Sequence, residues 1–238
     1  MASDRMAKAL RTLDRDAGSG LAAVCARALD SDGVAVSLVL ENSHAELVWC
    51  SGPVSASFED LQFTLGEGPG PDAIRSGAVV QVRDLGRVAA ERWPALLPAV
   101  GALAVGSVCC FPLVLGAIRL GVLTVIRHPV RALSAGEVDD ALVLASALTA
   151  LVLDGGAGAP RQDGLEAPRV LHRTAVHQAT GMISVQLGVP LAEALLRLRA
   201  HAYASSRPVN EIAQDVVTRR LRFHDDETGS RPPDGPRG

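Results

Sequence analysis

The sequence predicts an α+β domain, with an antiparallel sheet flanked by helices, followed by a small all-α module of three helices. Two changes of pattern along the 238 residues carry that prediction. Over residues 1–154, stretches at helical spacing are interleaved with short β-rich runs, and the runs come in pairs separated by brief turns, as in an antiparallel sheet. Beyond residue 168 the strand-like runs vanish, and only the i, i+3, i+4, i+7 repeat of helices remains. Between the two lies GGAGAPRQDGLEAP, Gly155 to Pro168, rich in Gly and Pro and almost without apolar periodicity, which reads as a linker.

In the first part, Met6, Leu10 and Leu13, then Leu21, Val24, Cys25 and Ala28, fall near helical spacing, interrupted by Gly18-Ser19-Gly20. VAVSLVL (34–40) and AELVWCS (45–51) read as strands joined by a turn at Asn42–Ser43. GEGPGPDA, Gly66 to Ala73, lacks the Lys-Ser/Thr of a phosphate-binding loop. It reads as a tight turn into a short helix whose backbone N–H groups could still meet a small ligand. VVQVRDL (79–85) is a further strand, and SVCCFPLVL (107–115) with RLGVLTVIR (119–127) forms a hairpin about Gly116-Ala117-Ile118. Ala141–Leu153 is a closing apolar helix with Ser134 as a cap upstream.

In the second part, Leu171, Ala175, Met182 and Ile183 keep one face of a first helix, which stops near Gly188, a residue suited to the left-handed cap. Leu191, Ala194, Leu195, Leu198 and Ala202 line a second helix. Val209, Ile212, Ala213, Val216 and Val217 line a third, with Pro208 where a first-turn proline is tolerated. Each stripe is too short to be stable alone, so the three helices must pack together. The expected organisation is a domain over 1–154, a linker over 155–168, the helical module over 169–223 and a polar, Pro/Gly-rich tail over 224–238 that reads as disordered.

Apolar residues make up 48% of the chain and charged ones 21%, enough for a real core; at 3% aromatics that core must be built from Val, Leu and Ala. The amphipathic, charged start MASDRMAKALRTLDRD does not resemble a secretory signal. The longest apolar stretch, Ala141 to Leu153, falls well short of the roughly 20 residues of a bilayer span. Cys25, Cys50, Cys109 and Cys110 show neither CxxC nor zinc-finger spacing, which points to free thiols in a reducing cytoplasm. No histidines pair at ligand spacing, so no metal and no cofactor are expected. Cys109 and Cys110 are adjacent on a strand and must point to opposite faces, one to the core and one to the other surface. A catalytic thiol there would need a base or positive charge to lower its pKa, and the sequence identifies none.

Charge is unevenly distributed. Residues 1–168 carry a net −6, residues 169–223 a net +5 and residues 224–238 a net −2. A basic module between acidic neighbours suggests a polyanion partner for that module. Its arginines, Arg173, Arg197, Arg199, Arg207, Arg219, Arg220 and Arg222, are expected over all three helices, and a guanidinium fork suits phosphate. Ala179 and Gly181 sit mid-helix, where a glycine is about 1 kcal/mol worse than alanine. Two readings of these small residues stand side by side: room for a nucleic-acid backbone or base, or tight helix–helix contact. Tyr203 could stack on an unpaired base or be half-buried.

The run VHQATGMISVQLGVPLAEALLRLRAHAYASSRPVNEIAQDVV resembles an ANTAR domain, the three-helix RNA-binding module of bacterial transcription antitermination regulators. The resemblance rests on Gln178-Ala179-x-Gly181-Met182-Ile183, Gly188, Ala194, Leu198-Arg199, Ala202, Val209, Ile212-Ala213 and Val216-Val217. LGEGPGPDAIRSGAVVQVRDL, RWPALLPAV and GSVCCFPLVLGAIRLGVLTVIR resemble a GAF sensor domain of the sort fused to ANTAR in actinobacteria. Three positions depart from the pattern: Thr180 stands where a Lys is usual, Pro190 where a Ser would cap the second helix, and Gly70 where a Cys is common.

The resemblance implies a cytoplasmic, non-enzymatic, signal-responsive regulator that binds stem-loops with hexanucleotide loops in nascent transcripts and promotes antitermination. The RNA-facing residues it implies are Arg173, His177, Gln178, Ala179, Thr180, Gly181, Arg199, Tyr203 and Arg207. A homodimer is expected, because two stem-loops call for two modules, with the helices at Met6–Leu13 and Ala141–Leu153 as its interface. The GAF part could hold an unidentified small molecule, in a pocket whose implied lining is apolar. Two other classes remain: a protein-interaction adaptor that does not bind RNA, and a cysteine-dependent GAF-fold reductase of methionine sulfoxide.

Overall fold

The structure, a computed structural model, describes residues 3–15, 20–39, 45–154 and 167–224. The chain divides into two compact units, Met1–Leu171 and His172–Gly238. The predicted turn at Asn42–Ser43, most of the linker and all of the tail after His224 lie outside the described residues.

The first unit is built on a five-stranded, wholly antiparallel sheet in the order β2-β1-β5-β4-β3. Its strands are β1 (Gly33–Val39), β2 (Ala45–Cys50), β3 (Val80–Val82), β4 (Ser107–Leu115) and β5 (Ile118–Arg127). β4 and β5 form the predicted hairpin, with Leu115 opposite Ile118 across Gly116-Ala117. The third strand is shorter than the expected 79–85. Asp84 turns the chain out of the sheet by accepting a hydrogen bond from the Gly86 N–H at 3.0 Å, which starts a 3₁₀ turn at Leu85–Arg87.

Helices cover both faces of this sheet. On one face, α1 (Asp4–Arg15), α2 (Leu21–Ala28) and α6 (Ala135–Leu153) enclose a core of Met6, Leu29, Phe111, Leu123, Leu144 and Leu148. On the other, α3 (Gly52–Leu65), α4 (Pro69–Ser76) and the short α5 (Leu96–Val100) close over Phe58, Trp93, Leu96 and Ile126. Two-sided coverage explains why β1 and β5 are buried almost residue for residue and show no inside–outside alternation. It also corrects the expectation for the cysteines. Cys109 and Cys110 do point to opposite faces, but both are buried, because there is no bare face.

α6 begins six residues before the apolar stretch that announced it. Ser134 and Glu137 form a reciprocal capping box: the Glu137 N–H donates to Ser134 Oγ at 3.3 Å and the Ser134 N–H to Glu137 Oε2 at 2.7 Å.

The second unit is formed by α7 (Ala167–Leu187) from His172 onward, α8 (Leu191–Ala204) and α9 (Val209–Val217), so the three predicted helices are present. Gly188 follows α7 at φ 65°, the left-handed conformation expected there. Pro190 precedes α8 without any side-chain cap. Each helix has one buried stripe: Val176, Ala179, Ile183 and Leu187 on α7, Ala194, Leu195, Leu198 and Ala202 on α8, and Val209, Ile212, Ala213 and Val216 on α9. No single helix among the described residues is long and apolar enough to cross a membrane.

Candidate nucleic-acid interface

On α7 the residues singled out in HQATGMIS separate by face. His177 and Gln178 are exposed, and Gly181 lies half-exposed one turn further on. Ala179 is 0% exposed and Thr180 7%, with the Thr180 hydroxyl donating to the Val176 carbonyl at 2.7 Å. This corrects two assignments: Ala179 and Thr180 belong to the packed face of α7 and do not present side chains to a ligand. The 100° step of the helix is the reason, since it puts 179 and 180 with Val176 and Ile183. Arg173 lies on α7, but its side chain is outside the described residues.

Gly181 behaves differently from Ala179. A Cβ added there would have nothing within 4 Å. Tight helix–helix contact therefore accounts for Ala179 and not for Gly181. The glycine leaves room on the solvent side of the helix, at a stability cost of about 1 kcal/mol that no contact among the described residues offsets.

On α8, Arg199 is half-buried and Tyr203, one turn later, is 64% exposed. The second of the two sequence readings of Tyr203 is thereby overturned: its ring is available on the surface. Arg207, in the turn before α9, is exposed and held from below, its Nη2 2.9 Å from Asp215 Oδ2 and its Nε 3.4 Å from Glu211 Oε2. Arg220 approaches the other oxygen of Asp215 at 2.9 Å. These two guanidiniums, Arg207 first, hold the Asp215 carboxyl below its ordinary value.

Arg219, Arg220 and Arg222 are not on the third helix, as the sequence suggested. α9 ends at Val217, and Thr218–His224 turns back over the unit. Phe223 is the residue that sequence reasoning missed. Its N–H donates to Gln186 Oε1 of α7 at 3.0 Å, and its ring meets the His201 ring of α8 edge-on at 5.4 Å between centroids. The available signal was one aromatic residue closing a run of arginines just past a helix.

In the first unit, the motifs that invited a ligand reading turn out to bind each other. The Glu67 carboxylate of GEGPGP accepts from the Ala95 and Leu96 N–H groups at 2.6 and 2.7 Å, capping α5. The Gly70 N–H donates to Gln62 Oε1 at 2.7 Å, so this loop amide is already committed. Gly68, at φ 134°, has Gln62 and Leu96 so close that any Cβ would collide with them. The Cβ of a cysteine at position 70 would lie 3.1 Å from the Gln62 amide, so Gly70 suits the tight seat of this turn. Trp93 of RWP is buried, with its indole N–H donating to Asp72 at 3.2 Å and the Arg92 guanidinium 4.4 Å above its ring.

The face covered by α3, α4 and α5 is filled by Phe58, Trp93 and Leu96. A surface groove of about 780 Å³ beside β3 is bordered by Arg83, Asp84, Arg87 and Arg92. Burial pushes the Cys109 thiol up to about 12 and the Cys110 thiol well above its ordinary value, the opposite of an activated nucleophile. No group of three metal-ligating side chains occurs among the described residues.

The chain thus combines a sheet covered on both faces with a compact three-helix unit of net positive charge. Family models agree: the GAF domain matches residues 19–153 and the ANTAR domain residues 168–217. The chain belongs to the GAF-domain family and carries an ANTAR domain behind that sensor fold. Among solved structures, the GAF domain of an Acinetobacter phosphoenolpyruvate-protein phosphotransferase is similar at 17% identity and TM-score 0.52, over 67% of this chain and 96% of that one. The corresponding GAF domain from Coxiella burnetii is similar at 17% identity and TM-score 0.49, over 64% and 96%. At such identity the first likeness shows the fold alone. No curated protein matches the chain.

Proposed function

We propose that the ANTAR unit binds stem-loops in nascent transcripts and thereby promotes antitermination, under control of a signal received by the GAF unit. The observation that carries this reading is Gly181: a mid-helix glycine that costs stability, faces open space and is flanked by exposed His177 and Gln178. In this reading the gap over Gly181 admits a loop base, Tyr203 stacks on an unpaired base, and Arg173, Arg199 and Arg207 hold phosphates. Asp215 and Glu211 pre-orient Arg207 from beneath. No chemical step is catalysed. The two departures from the family pattern in this unit are benign here, since Thr180 is buried and bonds its own helix, and Pro190 stands just ahead of the first turn of α8.

The test is an equilibrium titration of the full chain against a fluorescent RNA carrying two hairpins with hexanucleotide loops, with a scrambled-loop RNA as control. Gly181→Ala is expected to raise thermal stability, by about 1 kcal/mol, while weakening loop-dependent binding at least tenfold. Equal, weak binding to both RNAs, unaltered by the substitution, would sink the proposal.

One observation favours a second reading, a protein-interaction adaptor. Val185 is 85% exposed and Leu196 64%, apolar side chains that a protein could cover as well as a base. The adaptor reading leaves Gly181 unexplained, and it predicts indifference to RNA even at low salt.

A further inference from the structure

Arg219, Arg222 and Phe223 lie outside the matched ANTAR segment, which stops at Val217. α9 ends in a complete reversal motif: the Arg219 N–H donates to the Val216 carbonyl at 2.9 Å and the Arg220 N–H to the Asp215 carbonyl at 2.7 Å. That motif needs a left-handed residue, and glycine is the natural choice. Here Arg219 takes it, at φ 61°. A side chain with a Cβ is strained in that region, so local backbone energetics do not select this arginine.

Nor does an ion pair select it. Arg220 serves Asp215, but Arg219 and Arg222 have no ion-pair partner among the described residues, and both are exposed. The segment that carries them is nonetheless held in place. The Leu221 N–H bonds the Asp215 carbonyl at 3.0 Å, and Phe223 is fixed to α7 through Gln186 and to α8 through His201. Two solvent-facing guanidiniums are thus mounted on a short strap anchored to all three helices. Flexible surface arginines lose side-chain and backbone freedom when they bind; a strap already anchored at both ends loses less.

We propose that Thr218–His224 is a phosphate-gripping strap, in which Arg219 and Arg222 bind the sugar-phosphate backbone of the RNA held by the ANTAR unit. The inference rests on the RNA-binding reading above and extends it to residues beyond the matched segment. Because phosphates carry no sequence information, the strap contributes affinity and salt dependence but no choice of loop.

The experiment uses the full chain and the same two RNAs, at several salt concentrations, with Arg219→Gly, Arg222→Gln and the double variant. Arg219→Gly is expected to keep or raise the melting temperature, because it relieves the left-handed strain, yet to bind RNA more weakly. The double variant should lose about tenfold in affinity, equally for hexaloop and scrambled RNA. The slope of log affinity against log salt should flatten by about 1 for each arginine removed. Phe223→Ala, which leaves every charge in place, should lower affinity by loosening the strap. Wild-type affinity and slope in both arginine variants, with wild type still discriminating the loops, would overturn the strap and leave the RNA reading intact. No binding of either RNA by wild type at low salt would overturn both. A loss confined to the hexaloop RNA would also overturn the strap, since it would mean base recognition.

Discussion

Glu137 joins two structural duties in one carboxylate. It closes the capping box with Ser134 and pairs with the buried Arg127, whose Nη2 lies 2.7 Å from Oε1 and also donates from the same nitrogen to the Leu29 carbonyl at 2.8 Å. The Arg127 guanidinium, followed by the Ser134 hydrogen bonds, lowers this carboxyl from its ordinary 4.5 to about 2. A depressed folded-state value means that the unfolded chain takes up the proton first as pH falls, so the stabilisation is complete above about 4.5 and is lost toward 2. Glu137→Gln is therefore expected to cost about 2–3 kcal/mol at pH 7, where it strips a buried guanidinium of its counter-ion. Its stability curve should converge on that of wild type between pH 4.5 and 2, as read by circular-dichroism melts. The sequence marks Ser134 as a cap, but nothing local to it reveals Arg127, ten residues earlier than Glu137 on a neighbouring strand.

At the scale of elements, α3 is the clearest case of a helix concealed from pattern reading. Its buried positions are Ser55, Ala56, Phe58, Glu59, Gln62 and Phe63, so half of its inward face is polar and the apolar period is broken. Glu59 and Gln62 find their partners only in three dimensions: Ser37 of β1 donates to Glu59 at 2.8 Å, Gln62 donates to Glu59 at 2.9 Å, and Gly70 donates to Gln62. The three helices of the ANTAR unit were legible because their buried stripes are apolar but for Thr180. GEGPGP was legible as a turn, but its purpose was not, because the amides that Glu67 caps lie 28 and 29 residues away. Glu67→Ala should leave those two amides without their acceptor, destabilising the first unit by about 1–2 kcal/mol in chemical denaturation. Glu67→Gln, which keeps one acceptor oxygen, should lose less.

For the whole molecule, a homodimer remains our proposal for how two modules reach two stem-loops. Of the helices expected at its interface, α1 turns Met6 and Ala9 into the core, so those residues are not available. α6 keeps Leu142, Val143 and Leu153 exposed on its outer side. Leu142→Glu is expected to shift the chain from dimer to monomer in sedimentation equilibrium, with the melting temperature of the first unit unchanged. A monomeric wild type at micromolar concentration would rule the α6 interface out.

The sequence by itself determined what local periodicity and composition can carry. It announced the paired strands, the three amphipathic helices, the linker composition between them, and the concentration of positive charge after residue 168. It also carried the motif spacings by which the GAF and ANTAR resemblances were read, and the family matches agree with both. Tertiary structure decided which side of each element faces inward. It put Ala179 in the core and Gly181 at the surface, buried both cysteines by covering the second face of the sheet, and folded Arg219 to Phe223 back over the helices. The physical reason is range: a helix or strand is specified by neighbours within a few residues, whereas burial and partner choice depend on groups tens of residues away that only the folded chain brings within hydrogen-bonding distance.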